Sequence, residues 1–147
     1  MDNSKGPESG RGYSFDELIE GQQVEIRRTL RGEDIDAFAE VSGDRNPLHL
    51  DAAVAREAGF PDRIAHGMLL AGWLSAAIGE ELPGRGTVYL RQSLEFRQAA
   101  LPGDELLLRL TVSEKKRRGR VLLACQISKA DADSVVLRGT AEVIAPA

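Results

Sequence analysis

Gly67-Met68-Leu69-Leu70-Ala71-Gly72-Trp73-Leu74-Ser75-Ala76-Ala77-Ile78 is the stretch on which the fold turns. It carries no charge and is apolar almost all round, which predicts a helix buried on most of its faces. At about 1.5 Å per residue it spans on the order of 18 Å. That is too short for a bilayer core, which needs about 20 residues, and well sized to lie across one sheet. Gly72 and the alanines allow close approach of other backbone. Pro83-Gly84-Arg85-Gly86 ends the run.

Downstream the period changes from helical to two. Val88, Leu90, Gln92, Leu94 and Phe96 alternate with Tyr89, Arg91, Ser93, Glu95 and Arg97. Leu106, Leu108, Leu110 and Val112 form a second alternating run, Val121 to Ile127 a third and Val135 to Val143 a fourth. Leu101-Pro102-Gly103-Asp104, Arg118-Gly119 and Asp131-Ala132-Asp133 supply the turns between them. Period two with one apolar face predicts an antiparallel sheet covered on one side. The 67–78 helix is the only long apolar element available to cover it. The expected fold is therefore α+β, a curved antiparallel sheet wrapped around one central helix. Edge strands such as Leu106–Val112 would lack partners, and pairing between two copies would hide them, which predicts a homodimer.

Upstream, Val24, Ile26 and Leu30 mark a first strand. Ile35, Phe38 and Val41 fall at helical spacing, with Gly43 as the stop. Asp51 is a good N-cap for a short helix over 52–58, closed by Gly59. Between these lies Ser42-Gly43-Asp44-Arg45-Asn46-Pro47-Leu48-His49. Pro47 fixes its own φ and pushes Asn46 out of the helical region. The segment from Asp44 to His49 is expected to be a bent, stiff loop rather than a turn of helix. An Asp and a His on such a loop can converge on one point, as an acid/base pair requires.

At 147 residues the chain is long enough for one core without helper disulfides, and residues 13–147 read as a single domain. Residues 1–12 are rich in Gly, Ser and charge with no apolar h-region, the composition of a disordered tail rather than a signal peptide. A net charge of −4 argues against a general nucleic-acid binder, and no apolar run is long enough for a membrane span. The lone Cys125 falls within an alternating apolar run and is expected to be a buried strand thiol. One cysteine and no export signal point to the cytoplasm.

The stretch from Phe38 to Asp51, with its Asp-x-Asn-Pro-Leu-His core, resembles the signature of MaoC-like (R)-specific enoyl-CoA hydratases. Ile64-Ala65-His66-Gly67-Met68-Leu69 and Pro83-Gly84-Arg85-Gly86-Thr87-Val88-Tyr89-Leu90 are similar to that family too, and the match runs from about Val24 to the C-terminus. The resemblance implies a hotdog fold, usually dimeric, and reversible hydration of a trans-2-enoyl thioester to the (R)-3-hydroxyacyl thioester. It implies Asp44 and His49 as the catalytic pair and the Gly67 amide as oxyanion donor. Ser75 matches a serine near the dyad in these enzymes, and Asn46, inside the motif, joins Gly67 and Ser75 as a substrate-binding candidate. No cofactor is implied. The substrate is an acyl-CoA or acyl-carrier-protein thioester, which leaves a (3R)-hydroxyacyl-carrier-protein dehydratase or a non-catalytic acyl-thioester binder as alternatives.

The chemistry agrees with those residue types. Hydrating a conjugated C=C needs a base on the water, a proton for the α-carbon and charge relief at the thioester oxygen. Asp44 and His49 can hold one water between them for a syn addition, with Asp44 assigned to the α-carbon proton and His49 to water activation. Gly67 opens the apolar helix, where the dipole carries roughly half a positive charge. One oxyanion donor is worth about 3 kcal/mol elsewhere. His66 is expected to shape that turn rather than perform chemistry. A metal site built from Asp44, His49 and His66 has no i,i+4 His pair and no Cys partner. Pro83-Gly84-Arg85-Gly86 lacks the Gly-Lys-Ser/Thr ending of a phosphate loop. Lys115-Lys116-Arg117-Arg118-Gly119-Arg120 reads first as a solvated turn and second as a landing place for a CoA phosphate or an acidic carrier. Trp73 and Leu70 are the expected tunnel walls.

Overall fold

The structure, a computed structural model, describes residues 10–132 and 134–147. Its strands are β1 (Gln23–Thr29), β2 (Val88–Phe96), β3 (Glu105–Lys115), β4 (Arg120–Lys129) and β5 (Val135–Ile144). They pair antiparallel in the order β1-β3-β4-β5-β2. The helices are α1 (Gly32–Ser42), α2 (Pro47–Leu50), α3 (Ala52–Glu57) and α4 (Gly67–Glu80).

Alternation decides which way each strand faces. Leu106, Leu108, Leu110 and Val112 of β3 and Val121, Leu123, Cys125 and Ile127 of β4 are all buried on the inner face. They share one core with Leu69, Leu70, Trp73, Leu74, Ala77 and Ile78 of α4. This is the expected layering, one long helix in the hollow of a curved antiparallel sheet. Buried side chains of this size each contribute about 1.5–3 kcal/mol.

Two expectations need correction. The helix is not buried on most faces: Met68, Gly72, Ser75 and Ala76 are exposed on the side away from the core. One curved sheet covers one side of a helix, and the small residues that made the run look uniformly apolar gather on the other. Nor is Leu106–Val112 an edge, because β3 lies between β1 and β4. The edges are β1 and β2. β1 is studded with charge (Glu25, Arg27, Arg28), whereas β2 leaves Val88, Tyr89, Leu90 and Phe96 exposed.

Most of the stretch read as a tail, residues 1–9, lies outside the described residues, as does Asp133 of the last turn. Gly12, the last residue of that stretch, is buried and donates its N–H to Arg85 O at 3.1 Å. No helix among the described residues is long and apolar enough to cross a membrane.

Leu74 is fully buried at the middle of α4. Leu74→Ala is expected to destabilise the fold by about 2–5 kcal/mol in urea unfolding. A loss below about 1 kcal/mol would mean that α4 is not where the sheet closes.

Candidate active site

The loop after α1 is built by short polar side chains bonding their own backbone. Gly43 ends α1 in the left-handed region at φ 79°. Ser42 Oγ donates to Phe38 O at 2.6 Å and accepts the Asp44 N–H at 3.1 Å. Asp44 Oδ1 accepts the Asn46 N–H at 3.2 Å, an Asx turn that presents the carboxylate outward. Asn46 Oδ1 then accepts the Leu48 N–H at 3.1 Å and caps α2.

His49 therefore sits on a helical turn, not on the expected loop. Pro47 occupies the first position of α2, where a missing N–H is no loss and a fixed φ is an advantage. Asn46 does stay outside the helical region, at φ −53° and ψ 126°. The bend is real, and it ends one residue before the proline.

His49 Nδ1 lies 2.8 Å from Ile64 O. A carbonyl only accepts, so Nδ1 carries the hydrogen and the neutral ring leaves its lone pair on Nε2. Arg63 closes the other side: its Nη1 donates to Asp36 at 2.6 Å and to His49 O at 3.4 Å. Asp36, whose pKa is lowered by hydrogen bonding to that guanidinium, stays charged and keeps the tie. Asp44, His49 and His66 bring one ligand atom each within 4.8 Å of one another. Asp44 is exposed, His49 is half-buried and His66 is 2% exposed.

That trio is a poor metal site. A metal bound by both imidazoles lies in both ring planes at about 2.0–2.1 Å from each nitrogen. The rings of His49 and His66 are stacked, with centroids 3.8 Å apart and only 25° between planes. Planes so nearly parallel do not meet within bonding reach.

Gly67 is the first residue of α4, so its N–H has no partner inside the helix. The ring of Phe96 packs directly on it, and a Cβ at this position would stand 2.5 Å from Phe96 Cε1. His49, Gly67, Ile64, Leu70 and Phe96 line one groove of about 470 Å³. Ser75 is elsewhere. It lines a second, apolar groove of about 490 Å³ with Ala71, Gly72, Tyr89, Gln92 and Leu94. Met68 and Phe96 border both. Of the expected tunnel walls, Leu70 lines the first groove; Trp73 lines neither and is covered by the Arg28 guanidinium at 4.1 Å. In the second groove burial pushes the Tyr89 phenol up to about 12, so it remains a neutral donor to Gln92.

A family model described as the MaoC like domain matches residues 16–131, most of this fold and all of the site just described. The chain belongs to the MaoC-like family. It is 38% identical over 138 residues to an (R)-specific enoyl-CoA hydratase of Rhodospirillum rubrum, covering 92% of this chain and 93% of that one. It is also 38% identical over 135 residues to a 3-hydroxybutyryl-CoA dehydratase of Methylorubrum extorquens, with 90% and 83% covered. Among solved structures, an unliganded R-hydratase of Pseudomonas aeruginosa superposes with a TM-score of 0.87 at 44% identity, covering 92% and 86%. These matches support the hotdog assignment for this MaoC-like chain.

Other parts of the family-like sequence fall away from the site. The basic run forms the β3–β4 hairpin, with positive φ at both Arg118 and Gly119. The register pairs Arg120 with Ile144 and Ile127 with Leu137, and Leu137 with Phe96, so the hairpin tip is at the opposite end of the sheet from Gly67. Two site residues were not among the sequence candidates. Phe96 was assigned only to a strand face. Ile64 acts through its main-chain carbonyl, an acceptor that every residue type possesses and no motif marks.

Cys125 is a buried thiol whose pKa burial raises. It should resist a thiol reagent in the folded protein and react stoichiometrically once urea unfolds the chain. Rapid native-state labelling would contradict this packing.

Proposed function

We propose that this MaoC-like protein is an (R)-specific enoyl-CoA hydratase acting on a trans-2-enoyl-CoA thioester. The observations that carry this are an Asp44 carboxylate oxygen within 4.8 Å of a His49 ring nitrogen, and a groove that His49 shares with Gly67, whose N–H has no partner inside its helix.

The proposed reaction starts with the thioester carbonyl on the Gly67 N–H, at the positive end of α4. A water lies between Asp44 and His49. His49 Nε2 takes a proton from that water as its oxygen bonds to C3. Electron density moves through C2 to the thioester oxygen, where the Gly67 amide and the helix dipole stabilise it. The proton passes from His49 to Asp44 and from Asp44 to C2 on the same face, which restores the dyad and completes a syn addition. The step needs no cofactor, because the substrate's own thioester is the electron sink.

Loss of the enoyl absorbance of crotonyl-CoA measures this directly, and chiral analysis of the product tests the (R) assignment. Asp44→Asn and His49→Ala are each expected to lower kcat/KM by about 10²–10⁴-fold, the usual worth of a general acid or base. Equal hydration by wild type and Asp44→Asn would end the proposal. Running the same assay with carrier-protein thioesters distinguishes the CoA enzyme from a carrier-protein dehydratase.

The protein is further proposed to work as a homodimer in the cytoplasm, where its single, buried cysteine needs no oxidising conditions. The apolar edge β2, with Leu90 44% and Phe96 52% exposed, supports pairing there, beside Met68 at 61%. Leu90→Lys should shift the protein from dimer to monomer by light scattering at micromolar concentration. A wild-type monomer under the same conditions would count against the dimer.

A further inference from the structure

The chain has two histidines, and they lie face to face. One of them, His49, already has a part in the proposed reaction. The other is buried, lines neither of the two grooves described above, and yet touches both members of the dyad.

His66 Nε2 stands 3.0 Å from the main-chain oxygen of Asp44. That oxygen only accepts, so Nε2–H donates and this neutral tautomer is the one its surroundings select. The opposite nitrogen, Nδ1, is buried and has no hydrogen-bond partner among the described residues. A hydrogen moved to Nδ1 would lose the bond to Asp44 and find no acceptor in its place. The ring itself is fixed by packing. Phe38 of α1 meets it edge-on at 4.8 Å and 60°, and His49 of α2 stacks on it at 3.8 Å and 25°. Its backbone is fixed as well, as the N-cap of α4 immediately before Gly67.

We propose that His66 is a positioning residue, a claim that rests on the hydratase reading. Its Nε2–H anchors the loop that carries the Asp44 carboxylate. Its ring face sets the plane of the His49 imidazole, while Ile64 O sets that ring's rotation. Its main chain delivers the Gly67 amide. One residue thus registers acid and base through its side chain and the oxyanion donor through its main chain. Neither half of the job explains a histidine alone: a glutamine supplies the donor without the flat ring, and a phenylalanine supplies the ring without the donor.

Steady-state hydration of crotonyl-CoA by the full chain tests this with His66→Gln, His66→Phe and Asp44→Asn. Both His66 variants are expected to hold KM within about threefold while kcat falls about 10- to 100-fold, the scale of a 1 Å misplacement of reacting groups. Partial recovery in His66→Gln relative to His66→Phe would assign the larger share to the Asp44 anchor. If both His66 variants keep kcat within about twofold of wild type while Asp44→Asn is inactive, the positioning role is wrong and the hydratase reading stands. If Asp44→Asn is fully active, the hydratase reading fails first. Long-range nitrogen–proton correlation spectra of the wild type provide a check that survives a misfolding variant. One histidine should be the Nδ1–H tautomer and the other Nε2–H, and an Nδ1–H tautomer at His66 would overturn the proposal.

Discussion

The position of His49 depends on one short extended segment, Ile64–His66, stitched down on both sides. The Ile64 N–H donates to Leu48 O at 3.1 Å, and the Ile64 carbonyl receives the His49 Nδ1–H at 2.8 Å. The Ala65 N–H donates to Ala100 O at 2.9 Å. Such backbone groups are costly to bury unpaired, so pairing them is what the fold requires in any case. The same bonds draw α2 against the start of α4. The distance between His49 and Gly67 is thereby a consequence of backbone satisfaction rather than of any contact between those two residues. Arg63, just before the segment, adds its tie to Asp36 and completes the frame.

From that frame follows a division of α4 into ends and faces. Its first turn is an amide donor beside an imidazole, its inner face is core, and its outer face is a row of small residues facing a groove. Phe96 joins these parts: its ring rests on Gly67, where any Cβ would displace it, and it borders both grooves. Only glycine lets a half-exposed aromatic ring and an unpaired helix amide share one spot. This gives Gly67 a packing reason in addition to a chemical one.

The fold was largely legible in the sequence because its signals are periodic. Alternation in Leu106–Val112 and Val121–Ile127 fixes which face is buried without reference to any other element. Asp51 and Gly59 announced their helix by capping chemistry that is local, and Asp51 Oδ1 does accept the Ala53 N–H at 2.9 Å. What periodicity omits is strand order, so β3 was mistaken for an edge; order depends on which loops can cross which helices. The same limit hid the exposed side of α4, since alanine and glycine look apolar wherever they point. Within the site, the Asp44 Asx turn and the bend at Asn46 were legible because side chain and backbone lie two residues apart. The proline was half read: it does exclude Asn46 from helix, but it also starts a helix of its own. Contacts such as His49 with Ile64 O or Gly67 with Phe96 join residues 15 and 29 positions apart and leave no local mark.

The charge on Asp44 and the emptiness along β2 pose the same physical problem. Asp44 is exposed in the protomer, and charges facing water interact at high dielectric, where an oxyanion donor or a charged pair is worth little. Catalysis of the proposed kind draws its strength from fixed dipoles in a site that excludes water. Meanwhile the apolar side chains of β2 and the outer face of α4 lie uncovered beside both grooves. Any surface that covers β2 also roofs the grooves bordered by Met68 and Phe96. A second copy paired through that edge would therefore bury apolar area and cover the groove that His49 lines in one step. Assembly and reactivity should then be lost together when the edge is charged, even though no edge residue touches the reacting atoms.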